Sequence, residues 1–64
     1  MNKLKDFKAG DKVRLTEEVR HKQFAGLKGT VIRTVKYRNL VSVACENGKS
    51  YEAYPEHVEL LRGE

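Results

Sequence analysis

The sequence predicts an all-β protein, a small five-stranded barrel with one short 3-10 turn. Apolar and polar residues alternate in several short runs, and a period of two is typical of half-buried strands. Glycine, asparagine and proline separate these runs at close spacing, and no run has the length and period of a stable helix. A sheet this small would expose two unpaired edges, and closure into a barrel removes them.

The composition describes one small domain without room for a catalytic cleft. The chain has 64 residues, of which 39% are hydrophobic and 34% charged, so it is neither a membrane span nor a disordered polymer. A chain of this size buries only about 60% of its unfolded surface, and we expect no enzyme activity. The N-terminal residues lack the apolar core of a secretory signal, and the single cysteine, Cys45, fits a reducing compartment; both indicate the cytoplasm.

Residues 1–9 are predicted to form a basic N-terminal arm, and residues 10–62 the barrel. Within the arm, Phe7 is expected to pack on the rim of the core, and the rest to fray. Gly10 and Asp11 form a turn signal. The first strand is predicted over residues 12–16, because Val13 and Leu15 alternate with polar residues.

The segment between the first two strands is predicted as a loop, with at most one turn in it. Thr16 is suited to cap a single helical turn, but residues 16–23 are too few and too polar for a stable free helix. Phe24 is interpreted as an anchor in the core or the loop. Residues 30–37 are rich in β-branched side chains and form the strongest predicted strand.

The second half of the chain is predicted to add three more strands. Asn39 marks a short turn before a strand over residues 40–45. Asn47 and Gly48 separate two alternating runs, which predicts a tight hairpin with positive φ at both residues and a return strand over residues 50–54. Pro55 ends that strand and begins a 3-10 turn, and residues 58–61 form the last strand.

The predicted interior combines the apolar side chains that face one way along each strand. The members are Val13, Leu15, Val31, Val35, Val41, Val43, Tyr51, Val58 and either Leu60 or Leu61. Cys45 shares a face with the two valines of its strand and is expected to be a small buried residue.

Two stretches of the chain carry a recognisable pattern. Residues 10–15, Gly-Asp-Lys-Val-Arg-Leu, and residues 24–33, Phe-Ala-Gly-Leu-Lys-Gly-Thr-Val-Ile-Arg, resemble the KOW motif of ribosomal proteins and NusG-type transcription factors. Gly29 matches the hallmark glycine of that motif. The resemblance covers roughly residues 8–36 and implies an SH3-like barrel that binds nucleic acid. On this resemblance, Gly26 allows a turn and Gly29 takes a conformation that residues with a Cβ avoid.

Charge is spread unevenly along the chain. Residues 1–40 hold 11 basic residues against 4 acidic ones, a net charge of +7, whereas residues 41–64 carry −3. A basic half favours a polyanionic partner, namely the backbone of RNA or DNA, either free or within a ribonucleoprotein or transcription assembly. Arginine and lysine neutralise phosphates, and an aromatic ring stacks on an unpaired base.

The candidate nucleic-acid site is a cationic rim made by two loops that we expect to lie near each other. The loop before Gly29 and the turn after the second strand supply the candidates, with Tyr37 for stacking and the basic residues for phosphate contact. The candidates are Arg20, Lys22, Lys28, Arg33, Lys36, Tyr37 and Arg38, and the structural turn residues are Gly26, Gly29, Asn47 and Gly48.

A protein-interaction adaptor without a nucleic-acid role is the alternative. It would bind through the edges of the barrel or through an acidic patch formed by Glu52, Glu56, Glu59 and Glu64. The absence of tryptophan argues against a proline-rich ligand. No phosphate-cradling glycine loop, catalytic triad or metal-ligand spacing is present, so no cofactor or metal is expected. The expected state is a monomer without membrane contact.

Overall fold

The computed structural model describes residues 3–61 as one antiparallel sheet of five strands. Met1, Asn2 and residues 62–64 lie outside the described residues, and with them the start of the predicted arm, the last predicted barrel residue and Glu64 of the predicted acidic patch. The strands are β1 (Lys12–Leu15), β2 (Lys28–Val35), β3 (Leu40–Cys45), β4 (Ser50–Ala53) and β5 (Val58–Leu60). Their order in the sheet is β4-β3-β2-β1-β5, which makes β4 and β5 the outer strands.

The prediction of an all-β protein with five strands is confirmed. The largest difference is at β2, which begins and ends two residues earlier than predicted because Lys36–Arg38 form a 3-10 turn. The prediction of a single 3-10 turn is wrong. The described residues contain four such turns, each too short to leave a periodic pattern in the sequence: Leu4–Asp6, Lys22–Phe24, Lys36–Arg38 and Pro55–His57.

One hydrophobic core underlies the sheet. The predicted interior residues of β1 and β3 are buried, as are Val31 of β2 and Val58 of β5, whereas Val35, Tyr51, Leu60 and Leu61 are only partly buried. The core also contains Val19, which lies in the loop between β1 and β2 and was not predicted to be interior. Its members are Phe7, Val13, Leu15, Val19, Phe24, Val31, Val41, Val43, Cys45, Ala53 and Val58.

A β-bulge interrupts the pairing of β2 with β3. Val31 pairs with Val43 and Arg33 with Ser42, so Ile32 is an extra residue without a partner across the ladder. The Ile32 side chain is 47% exposed. A regular period of two from Val31 would turn Arg33 towards the core, and the bulge keeps it exposed.

Of the two glycines in the Gly-x-x-Gly step, one has the predicted backbone conformation and the other does not. Gly26 has φ +78° and forms a turn, as predicted. Gly29 lies inside β2 without a positive φ, so the prediction of a special backbone conformation is wrong. A Cβ at Gly29 would lie 2.5 Å from the carbonyl oxygen of Ala44 and 2.6 Å from Cγ1 of Val43. The glycine is required there by the close approach of β3.

The β3–β4 connection is a hairpin, as predicted, but its turn is of another type. Gly48 has φ +85°, whereas Asn47 has no positive φ, so the expectation of two left-handed residues is wrong. The Gly48 N–H donates to the Cys45 carbonyl at 3.0 Å, and the Asn47 Oδ1 accepts the Lys49 N–H at 3.0 Å. This pattern, with glycine as the one left-handed residue, is that of a type I turn followed by a bulge.

The described part of the N-terminal segment is folded onto the sheet. Leu4–Asp6 form a 3-10 turn, and the following Phe7 is buried in the core. Gly10 N–H donates to the Val31 carbonyl at 2.8 Å, and Val31 N–H donates to the Asp11 carbonyl at 2.9 Å. Gly10 and Asp11 are therefore held against β2, and Phe7 anchors the turn before them in the core. Within the described residues, no helix is long and apolar enough to cross a lipid bilayer.

Candidate nucleic-acid interface

The turn between β2 and β3 presents an aromatic ring between two cations. Val35 pairs with Leu40, and the 3-10 turn Lys36–Arg38 with Asn39 closes the hairpin. Asn39 adopts the left-handed conformation with φ 55°, which ends the turn. The Tyr37 side chain is 89% exposed, a large fraction for an aromatic residue. We call residues 36–39 the β2–β3 turn.

The charges around the β2–β3 turn are uncompensated. No Asp or Glu occurs between Glu18 and Glu46 in the sequence. Among residues 3–61 the only ion pair joins Arg14 to Glu59 at 2.6 Å, so Lys36 and Arg38 pair with no described carboxylate. The turn is therefore a local source of positive potential, which attracts anions.

An aromatic groove lies next to this turn. It has a volume of about 470 Å³, and its walls come from the β1–β2 loop, the start of β3, β4 and the Pro55–His57 turn. Tyr51 stacks on Phe24 with ring centroids 4.7 Å apart, and His21 meets the Tyr51 ring edge-on at 5.6 Å. Tyr54 is 51% exposed. The lining residues are Glu18, Arg20, His21, Leu40, Tyr51, Glu52, Ala53, Tyr54 and His57.

Arg20 lies at the groove and not on the β2–β3 turn. Leu40 lines the groove and directly follows Asn39, while Arg20 lines the same groove from the β1–β2 loop. The groove is therefore assembled from segments that are separate in the sequence, and its lining begins one residue after the β2–β3 turn.

Lys28 does not belong to that surface. It is the first residue of β2, whereas Lys36 follows the last one. An extended strand rises about 3.3 Å per residue, so the two ends of β2 lie on the order of 23 Å apart. The Lys28 N–H donates to Glu46 Oε2 at 3.0 Å, which places Lys28 beside the β3–β4 hairpin. The expectation that Lys28 and Arg38 share one rim is therefore wrong.

Two further predicted residues occupy other positions. The Lys22 ammonium group donates to the Glu17 carbonyl at 2.7 Å, so this side chain holds the β1–β2 loop together. Arg33 is exposed on β2 beside the bulge, two residues before Val35. Arg33 is close to the β2–β3 turn along the strand, and Lys22 already has a structural partner.

Sequence reasoning missed the aromatic groove. His21, Tyr51, Tyr54 and His57 come from three separate segments, and only the folded sheet brings them together. One signal for the groove is visible in the sequence. Tyr54 follows Ala53, which is predicted to face inward, so a period of two turns the Tyr54 ring outward, and Pro55 then ends the strand. Of the predicted acidic patch, Glu59 pairs with Arg14 and Glu52 lines the groove.

Among residues 3–61, no three side chains of His, Cys, Asp or Glu come together to hold a metal ion. Burial raises the pKa of the Cys45 thiol above its ordinary value, and the neighbouring Glu46 carboxylate raises it further. A thiol that resists ionisation is a poor nucleophile.

Comparison with protein-family models, with curated proteins and with solved structures gave no match.

Proposed function

We propose that the protein is a non-catalytic cytoplasmic module that binds single-stranded nucleic acid, most simply RNA, alone or within a ribonucleoprotein or transcription assembly. The observation that carries the proposal is the β2–β3 turn, where Tyr37 is 89% exposed between two cations without acidic partners. An unpaired base stacks on the tyrosine ring, and Lys36 and Arg38 contact the flanking phosphates. Arg20, which lines the aromatic groove, adds a further phosphate contact.

Neither stacking nor phosphate contact depends on which base is bound. Stacking of one base on an aromatic side chain contributes about 1–3 kcal/mol, and every base offers a π-face. Each phosphate contact releases counterions, so affinity falls as the salt concentration rises. The protein would therefore read the backbone and an unstacked base, with little sequence specificity.

We infer that the sheet curls into an SH3-like barrel, a fold that supports this function. Two features favour that inference: the bulge at Ile32 and the shared core beneath all five strands. A bulge bends a strand and increases its twist, which a curled sheet requires. The resemblance of residues 8–36 to the KOW motif also supports both the barrel and a nucleic-acid partner.

The test measures binding of a labelled oligouridylate at two salt concentrations by fluorescence anisotropy. The variants are Tyr37→Ala, Arg38→Glu and the matched charge reversal Lys28→Glu at the far end of β2. We expect Tyr37→Ala to weaken binding roughly tenfold or more, as for the loss of one stacked base. Arg38→Glu should weaken binding and flatten the salt dependence, while Lys28→Glu changes both much less.

Two results would contradict the proposal. One is tight binding that does not respond to salt, because phosphate contacts cannot behave in that way. The other is an equal loss in the Arg38→Glu and Lys28→Glu proteins, which would mean that only the net charge matters.

The aromatic groove supports a second candidate function, the recognition of a protein segment. Its tyrosine and histidine rings lie beside Glu18, Arg20 and Glu52, so the groove offers aromatic surface with charges of both signs, as protein interfaces do. Under this reading, Tyr54→Ala abolishes capture of a protein partner from nuclease-treated extract, and Arg38→Glu does not. Under the nucleic-acid reading, nuclease treatment removes the partner.

A further inference from the structure

A cleft separates the N-terminal turn from the end of β2. It has a volume of about 520 Å³ and is lined by Leu4, Lys5, Phe7, Thr34 and Lys36. Sites for small ligands fall in the range of about 300–1,000 Å³. We call it the N-terminal cleft. Lys36 belongs both to this cleft and to the β2–β3 turn, so the two features adjoin.

The walls of the N-terminal cleft are preformed. Phe7 N–H donates to the Leu4 carbonyl at 3.1 Å, and Lys3 N–H donates to Asp6 Oδ2 at 2.8 Å, which closes the turn that carries Lys5. The Phe7 side chain is buried in the core and forms a fixed apolar floor. A ligand entering here meets a surface that does not have to order first.

The charge on the lining of the N-terminal cleft has one sign. Lys5 and Lys36 line it together with no carboxylate, and neither pairs with an acidic residue among the described part of the chain. The acids of this segment face elsewhere, since Asp6 and Asp11 line a separate depression with Lys8 and Lys12. A cleft with an apolar floor and two free cations suits a ligand that joins an anionic group to a flat apolar one.

We propose that the N-terminal cleft holds one nucleotide of the bound strand, adjacent to the nucleotide stacked on Tyr37. Its phosphate lies between Lys5 and Lys36, and its sugar and base contact Leu4 and Phe7. This inference rests on the proposed function and deepens it, because it assigns the N-terminal segment to the binding surface. The occupied unit is then at least two consecutive nucleotides, one in the cleft and one on the turn.

The test compares oligouridylate binding by Lys5→Glu and Lys3→Glu proteins. Both variants make the same charge change in the same segment, but only Lys5 lines the cleft. We expect Lys5→Glu to weaken binding about tenfold more than Lys3→Glu and to reduce the salt slope by about 0.7, the value for one phosphate contact on a single strand. Amide spectra on titration with diuridylate should shift the signals of Leu4 and Thr34 as well as that of Tyr37.

The outcomes separate the two proposals. If Lys5→Glu and Lys3→Glu bind alike while Arg38→Glu and Tyr37→Ala lose affinity, the cleft inference fails and the proposed function stands. If none of the four variants changes binding, both fail. Thermal unfolding of each protein shows that the variants fold, since Lys3 and Lys5 are exposed.

Discussion

Gly29 determines how closely two neighbouring strands approach. It pairs with Cys45 across β2 and β3, and the carbonyl oxygen of Ala44 occupies the space that a Cβ would need. Gly48 differs from it, because nothing lies within 4 Å of a Cβ there and only the φ of +85° favours glycine. Glycine is therefore favoured at position 29 because space is limited and at position 48 because φ is positive.

These requirements predict different responses to substitution. Gly29→Ala should lower the free energy of unfolding by about 1–3 kcal/mol through overpacking, and Gly29→Asn should be no better. Gly48→Ala should cost about 1–2 kcal/mol, and Gly48→Asn should recover part of that loss because asparagine tolerates positive φ. Urea unfolding measures all four variants. Recovery by asparagine at position 29 would show that φ is the constraint there.

The raised pKa of the Cys45 thiol predicts that the folded protein loses stability in alkaline solution. Burial and the Glu46 carboxylate raise its pKa in the folded state above its ordinary value, so the folded state favours the neutral thiol more than the unfolded state does. The stability that the neutral thiol contributes is fully present when the pH is below the thiol pKa of the unfolded state. It is lost as the pH rises through the thiol pKa of the folded state. The difference in unfolding free energy between wild type and Cys45→Ala should shrink across that window. A difference independent of pH would contradict the assignment.

At the scale of elements, the β1–β2 loop is held by its own apolar residues. Val19 is fully buried and Phe24 nearly so, although both lie outside the strands. Leu15 N–H donates to the Leu27 carbonyl at 2.8 Å, and Gly26 N–H donates to the Leu15 carbonyl at 2.8 Å, so the end of the loop is joined to the end of β1. The loop positions Arg20 at the groove because its neighbour Val19 is fixed.

Val19 therefore supports both stability and the position of Arg20. Val19→Ala should lower the free energy of unfolding by roughly 2 kcal/mol, from lost burial and the remaining cavity. The control Glu18→Ala removes an exposed side chain and should stay within about 0.5 kcal/mol. Denaturant unfolding gives both values, and trypsin cleavage after Arg20 should become faster only in the valine variant. Equal stabilities for the two proteins would mean that the loop does not depend on Val19.

The strands could be predicted from the sequence because alternation and turn residues are local signals. The bulge at Ile32 could not, since nothing within residues 30–37 distinguishes an extra residue from a regular one; only pairing with β3 does. The burial of Val19 could not be predicted for a related reason. A single apolar residue in a polar loop has no period, and its burial depends on the core that the distant strands build.

At the scale of the whole molecule, a single small core leaves stability low and responsive to ligands. A partner that binds only the folded state, present at about 100 times its dissociation constant, adds about 2.7 kcal/mol to the free energy of unfolding. For a domain of this size that corresponds to a rise in Tm of roughly 10–20 °C. Oligouridylate should produce this shift in the wild-type protein and a much smaller one in Tyr37→Ala. An unchanged Tm at saturating oligonucleotide would contradict nucleic-acid binding.

The candidate site was predictable in its residue types and only partly in its location. Lys36, Tyr37 and Arg38 are consecutive, so their common position follows from the sequence alone. The separation of Lys28 from them depends on the length of β2, and the position of Arg20 at the groove depends on the path of the β1–β2 loop. Long-range placement of this kind requires the folded sheet.

The length of β2 also determines where a reporter can be attached. The turn over residues 46–49 lies at the end of the molecule away from Tyr37, and Gly48 has open space around it. A fluorophore or surface linker coupled at Asn47 through an introduced thiol would leave the β2–β3 turn and the N-terminal cleft accessible.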